Sequence, residues 1–357
     1  MFPLIGGVNC SYDSELSYSS TGSVWVCYDG PFLYATDEGP SDGSGAGALL
    51  IYDMSNPFGP TLISTTATPV ASLPAKPFAR NGYVYIPYQG HSGTANSRKF
   101  AVWNATNPSS PTLAGAHTYT DGEIGNFASG SRPYSVAVIG NIACVGMRGG
   151  FLKGTDLVKH NVTDPTTPDV VTTLLPFSPA SVIVTKVAVA GSNFVFGGQR
   201  SSAGQGYIAT LDPATFTMLD SGLDGLAGGI SDTIGVSEDG LYGYLTNPSN
   251  ITVSSWDISD PSNLTMLDSV DYQNGAGEQV LLVSQDINRL YVGGRGGVNI
   301  KIIDITDPSN ISVVGGIDTG GERVADMARI TDGCSGFAWV EGTTGVVINL
   351  LGNAPTS

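Results

Sequence analysis

A short phrase recurs along the chain at nearly constant spacing, and no other feature constrains the fold as tightly. Its copies are Asp53-Met54-Ser55-Asn56-Pro57, Asn104-Ala105-Thr106-Asn107-Pro108, Asn161-Val162-Thr163-Asp164-Pro165, Asp257-Ile258-Ser259-Asp260-Pro261 and Asp304-Ile305-Thr306-Asp307-Pro308. A sixth copy keeps only Asp212-Pro213, followed by a close match of Ala214–Ser221 to Ser262–Ser269. The prolines at 57, 108, 165, 213, 261 and 308 are 51, 57, 48, 48 and 47 residues apart. Such intervals suit a four-stranded propeller blade and exceed helical repeat units.

The phrase has a physical reading. Apolar runs with period-two character enter it, as in Leu50-Ile51-Tyr52, Ala101-Val102-Trp103 and Ile300–Ile303. The Asp or Asn that ends each run can accept hydrogen bonds from amides of the following turn. The proline denies the ladder a donor and holds the residue before it extended. A second apolar stretch follows, as in Thr61–Ser64 or Ile311–Val314. Each copy therefore predicts a hairpin with a stiffened loop.

Another hairpin precedes each phrase, with glycine in its turn: Val136–Val145, Val187–Phe196 and Gly235–Tyr242 are examples. Two hairpins per repeat give strands A to D, A innermost. The expected fold is all-β, a single seven-bladed β-propeller over residues 1–357 with four-stranded antiparallel blades. Its last blade takes strands from 322–357, and the N-terminal strand, Pro3–Gly7 within residues 1–8, closes it by pairing with the C-terminal blade. The similarity of Pro3–Gly7 to Val313–Gly316 carries that expectation. Closure of this kind removes both exposed sheet edges.

The pattern resembles the LVIVD-repeat family, whose signature is a strand, a variant of Asp-Ile-Ser-Asp-Pro and another strand. The copies at Ile302–Asn310 and Trp256–Asn263 match best. The resemblance implies a propeller of the kind found in bacterial and archaeal surface or extracellular proteins, mostly without assigned chemistry. It implies no reaction. The copy at Asp212-Pro213 departs by losing the first Asp, which affects that turn alone.

Composition narrows the partners. With 31 acidic against 15 basic residues the net charge is −16, and the first base is Lys76. Such a surface repels nucleic acid and anionic lipid, and no apolar run is long enough to span a membrane. The 48 glycines and 21 prolines exclude long helices. Met1–Gly7 lacks the positive and apolar regions of a secretory signal, so either the chain is used without that export route, which favours a virion component, or the numbering starts at a mature end. Cys10, Cys27, Cys144 and Cys334 show no metal-ligand spacing; Cys27 and Cys144 read as buried thiols, with a Cys10–Cys27 bridge as the alternative. Sequons at Asn9, Asn104, Asn161, Asn250, Asn263 and Asn310 fall mostly within or beside the phrase, so turn chemistry explains them better than glycosylation.

Chemistry is sparse. His91, His117 and His160 have no nucleophile at motif spacing, and the glycine-rich 293–297 lacks the lysine of a phosphate loop, so no catalytic residue is assigned and no enzyme is expected. The residues ending strand B share one face: Asp37, Gln89, Arg148, Gln199 with Arg200, Asn247, Arg295 and Glu341. Arginines suit forked capture of carboxylates, so Arg148, Arg200 and Arg295 mark a candidate ligand or partner face. Asp232, Glu278 and Glu322 lead into inner strands and are the candidate metal ligands; Ca²⁺ is the ion such oxygens suit, though no cofactor is required. The expected function is a non-enzymatic structural or interaction platform on a cell surface or virion, binding protein partners or copies of itself. The alternatives are a glycan-binding lectin or adhesin module and a Ca²⁺-dependent, lactonase-like hydrolase.

Overall fold

The computed structural model describes residues 4–5, 12–18, 24–39, 46–56, 60–69, 73–90, 97–124, 131–148, 155–174, 182–200, 205–225, 233–247, 251–272, 279–284, 288–294, 300–317, 324–330, 336–341 and 346–352. They form antiparallel sheets built from consecutive strands, each sheet running outward from an inner strand A to an outer strand D. The first contains Val24–Asp29, Phe32–Asp37, Ala48–Asp53 and Thr61–Ala67. The next begins at Phe78–Arg80 and ends at Thr112–Thr118, and three more start at Arg132–Ile139, Val182–Ala190 and Ile234–Val236. Inner strands of successive sheets lie against one another, and Val324–Ile330 returns to Val24–Asp29, so the ring closes.

Among the described residues, four-stranded antiparallel blades number six, not seven. The expectation of seven such blades is overturned by the sheet order: Gln279–Ser284, Arg289–Gly294, Ile300–Asp304 and Ser312–Ile317 gain Leu4–Ile5 as a fifth strand. Leu4 pairs with Ile317 and Ile5 with Gly316, so the strand expected within residues 1–8 does not, where it is described, close the sheet of Val324–Ile330. Tyr12–Tyr18 does, pairing with Val346–Gly352 from Tyr12↔Gly352 to Tyr18↔Val346. The reason lies in what an outer strand requires. Strands B and C are buried almost throughout, whereas outer strands such as Thr61–Ala67 and Thr265–Asp271 are largely exposed. A polar stretch, Tyr-Asp-Ser-Glu-Leu-Ser-Tyr, therefore suits this role, and apolar matching picks the wrong segment.

The phrase folds as two successive Asx turns. In the first, Asp53 Oδ1 accepts from Ser55 N at 2.8 Å, Asn104 Oδ1 from Thr106 N at 3.0 Å, and Asp304 Oδ1 from Thr306 N at 2.9 Å. In the second, Asp164, Asp260 and Asp307 each accept at 2.9 Å from Thr166 N, Ser262 N and Ser309 N. The residue between them, Met54, Ala105, Val162, Ile258 or Ile305, is buried. Its amide donates to the A–B turn of the same sheet: Met54 N to Pro31 O at 2.7 Å, Ile258 N to Leu241 O at 2.9 Å, Ile305 N to Asn288 O at 3.0 Å. Where the first Asp is lost, Asp212 Oδ1 takes Thr215 N at 2.7 Å, and Phe216 closes that turn with φ of 56°.

Six outer strands carry one extra residue opposite the end of strand C, a bulge at Ile63, Ala114, Val171, Leu219, Leu267 and Val314. The residue after the bulge meets the next sheet's phrase. Ser64 Oγ donates to Pro108 O at 2.8 Å, Asp220 Oδ2 accepts from Leu264 N at 2.7 Å, and Asp268 Oδ2 accepts from Ile311 N at 2.8 Å. A Cβ at Gly115 would lie 2.3 Å from Thr166 O, so only glycine fits there. Strand C adds Ser255 Oγ to Pro308 O at 2.6 Å and Lys159 Nζ to Ala214 O at 2.6 Å. The repeat is thus a clamp between sheets as well as a turn.

Two outcomes follow. Deleting residues 1–8 removes a two-residue strand and should leave the melting temperature nearly unchanged, whereas deleting 1–19 bares the edge of Val346–Gly352 and should cause aggregation or a marked loss of stability by thermal melting. Hydrogen bonds from Ser55 and Thr306 hold the Asp53 and Asp304 carboxyls below their ordinary value. A carboxyl depressed in the folded state stabilises above its unfolded pKa, roughly 4, and loses that contribution as pH falls through the folded value. Asn already serves at 104 and 161. The double variant Asp53→Asn/Asp304→Asn should therefore match the parent at neutral pH within roughly 0.5 kcal/mol, and lose less stability between pH 5 and 2 in acid melts.

Candidate functional site

Four of the described B-strand ends are occupied from within, whereas Gln199 is buried with its Oε1 lacking a hydrogen-bond partner among the described residues. Asp37 is buried and accepts from Gly39 N at 2.9 Å. Gln89 Nε2 donates to Glu38 Oε1 of the neighbouring sheet at 3.2 Å, and buried Asn247 donates to Asp224 Oδ2, also from a neighbouring sheet, at 2.8 Å. Arg148 is half-buried; its Nη1 donates to Tyr134 Oη at 2.7 Å while its guanidinium stacks 4.7 Å from the same ring. Tyr134 also faces Lys76 Nζ at 5.4 Å and meets Trp25 edge-on at 6.1 Å. Arg200 ends Asn193–Arg200, adjacent to the sheet of Arg148, with backbone partners Val182 and Gln205; Glu341 ends Gly336–Glu341. The side chains of Arg200 and Glu341, and Arg295, Asp232, Glu278 and Glu322 altogether, lie outside the described residues. So does Cys10; Cys27 and Cys144 carry free thiols.

The axis holds groups that sequence reasoning passed over. Inner strands share a bulge, between Pro133 and Ser135, Val184 and Lys186, and Val324 and Asp326. It places Ser135, Lys186 and Asp326 at one structural position. Ser135 Oγ accepts from Val187 N at 3.0 Å and Asp326 Oδ2 from Val26 N at 3.0 Å, each on the next inner strand of the ring. A cavity of ≈ 360 Å³ opens between these strands, lined by Lys76, Lys186 and Ser135 among mostly apolar side chains. Their signal was present: Lys186 and Asp326 are charges set inside the apolar runs Val182–Ala190 and Val324–Ile330.

His117 and His160 have structural places, while His91 lies outside the described residues. His160 is fully buried on strand C, its Nε2 2.6 Å from Tyr119 Oη and its ring 4.5 Å from Phe100. Burial, reinforced by His117, pulls its pKa down to about 3, so it stays neutral. His117 pairs with Glu123, whose carboxylate also caps the helical turn Asp121–Ile124 through Thr120.

Three comparisons place this geometry among known proteins. The LVIVD repeat model matches residues 256–272 and 288–319, the copies whose double turns are described above. Over 98% of this chain and 99% of the other, the structure is similar to the β-propeller domain of Cps50 (Swd1) from Myceliophteria thermophila, with a TM-score of 0.67 at 13% identity. This chain is a β-propeller that carries LVIVD repeats. A protein from Lactobacillus plantarum is also similar, with a TM-score of 0.65 at 15% identity over 84% of this chain and 86% of that one. At those identities the likeness is one of fold. No curated protein matches the chain.

What the propeller offers to solvent is on its outer strands. Five residues after the phrase proline stand Leu62, Leu113, Met266 and Val313, each opposite the last apolar residue of strand C. They are 46%, 45%, 41% and 39% exposed, so one register of the rim is apolar in sheet after sheet. Val170 and Met218 take the same register, half-buried. No described helix is long and apolar enough to cross a membrane.

Truncating Arg148 to alanine strips Tyr134 of both a hydrogen bond and a stacked cation. The expected cost is about 1–2 kcal/mol, discounted for partial exposure and read as a lower denaturation midpoint.

Proposed function

We propose that this propeller is a non-enzymatic interaction platform that seats extended protein segments on its outer rim, at a cell surface or on a virion. The observation that carries the reading is Leu4–Ile5 lying antiparallel on the outer edge of Ser312–Ile317. The chain itself thus shows how an apolar segment adds to a rim strand. Among the described residues the outer strands Thr61–Ala67, Thr112–Thr118, Asp169–Leu174, Met218–Leu223 and Thr265–Asp271 carry no such addition. Strand addition draws affinity from main-chain hydrogen bonds and specificity from side chains that alternate along the strand.

Energetics favour the rim over the loop face. An exposed apolar side chain at one register, repeated around a rigid ring, gives a partner both buried area and multiple sites. On the loop face, by contrast, Gln89 and Asn247 spend polar groups on neighbouring sheets, and Asp37 and Arg148 spend theirs within their own. The large acid excess keeps such a rim soluble and disfavours polyanionic partners. The resemblance to surface and extracellular propellers supports the location.

The test compares two variants by crosslinking in the source cells or particles, followed by affinity measurement on the captured protein. Leu62→Glu/Leu113→Glu/Met266→Glu should weaken binding by ~10-fold or more, with dichroism unchanged. Arg148→Ala/Arg200→Ala should bind as the parent does. The reverse result would move recognition to the loop face.

A further inference from the structure

We propose that the axial cavity binds a small monocarboxylate, its carboxylate on Lys186 and its apolar body against Phe78, Val136, Val187, Val189 and Met327. The argument begins at the shared bulge of the inner strands. At that position Ser135 and Asp326 each accept an amide hydrogen from the next inner strand, tying neighbours together around the axis. An ammonium has no lone pair to offer, so Lys186 cannot make the equivalent bond. Among the described residues it has no hydrogen bond or ion pair; it is a cation set into a cavity wall where its counterparts are acceptors.

The surrounding charges set the ligand's charge. Lys76 lines the same cavity, and Asp326, on the inner strand that gives Met327 and Ala328 to the wall, attracts Lys186 electrostatically with one oxygen already committed to Val26 N. Among the described residues these two lysines and one aspartate sum to +1, which one carboxylate matches and a phosphate dianion overshoots. Burial draws Lys186 down to about 8, with Asp326 opposing and Lys76 adding to the fall. A bound carboxylate would relieve that penalty, because an opposite charge in a desolvated site favours the ionised amine. Val136, Val187, Val189, Phe78 and Met327 supply the apolar wall, and ≈ 360 Å³ lies within the range of small-molecule pockets. The same charges repel a metal cation.

Titration calorimetry with straight-chain carboxylates from butyrate to octanoate tests the proposal on the intact chain, with 1-hexanol and inorganic phosphate as controls. Saturable binding should appear and tighten with chain length, while the alcohol and phosphate bind at least ~10-fold more weakly. Lys186→Met should abolish at least ~10-fold of the carboxylate affinity. If that variant misfolds by dichroism, acetylation of the parent with an amine-reactive ester gives an independent reading. Hexanoate should then protect Lys186 and leave Lys301 labelled as before. No saturable binding at any chain length, equal affinity in Lys186→Met, or no protection of Lys186 would overturn the proposal.

Discussion

The contact on which this structure depends is the meeting of one sheet's outer bulge with the next sheet's double Asx turn. A propeller blade cannot bury both faces alone, so its stability is a matter of neighbour contacts. Apolar side chains supply most of the burial, but hydrophobic contact is non-directional and does not set how far one sheet slides against the next. The polar clamp does. Asp220 and Asp268 reach across to Leu264 N and Ile311 N, and Ser64 and Ser255 give hydrogens to Pro108 O and Pro308 O. Proline lacks a donor, and its ring stiffens the loop whose carbonyl is the target.

The same logic runs at the axis with different atoms. Where the inner strands crowd, a bulge turns one side chain toward the neighbouring strand, and Ser135 or Asp326 bridges to its amide. Lys186 breaks the series. Local rules that are satisfied elsewhere and violated at one position single out that position for a role other than packing. The outer belt is the converse case: Leu62, Leu113 and Met266 obey the repeat yet leave apolar surface in water.

Much of the architecture was legible in the chain. The spacing of the phrase, the Asp or Asn at its head and its proline led to the C–D hairpin, and the Asp or Asn accepts the turn amide expected of it. His160 was readable as a packed strand residue from its alignment with Trp103 and Ile303. The closing strand was not legible, because an outer strand is mostly exposed and its composition, as in Tyr12–Tyr18, differs little from a loop. The loop-face residues were found as a set, but their engagement was hidden. Gln89 lies 51 positions from Glu38 and Asn247 lies 23 from Asp224, distances over which sequence carries no sign of a hydrogen bond.

By itself the sequence determined an all-β propeller with LVIVD repeats, its sheet period and the turn that ends each third strand. Those follow from short-range physics: period-two burial, Asx hydrogen bonds and the geometry imposed by proline. Tertiary structure alone decided that six blades are four-stranded, that Leu4–Ile5 makes another sheet five-stranded, and that Tyr12–Tyr18 closes the ring. It alone brought Lys76, Lys186 and Asp326 to one axis from three separate sheets. The reason is geometric: pairing of chain ends and convergence at an axis depend on how the sheets close on one another, and closure is a property of the whole ring that no local window contains.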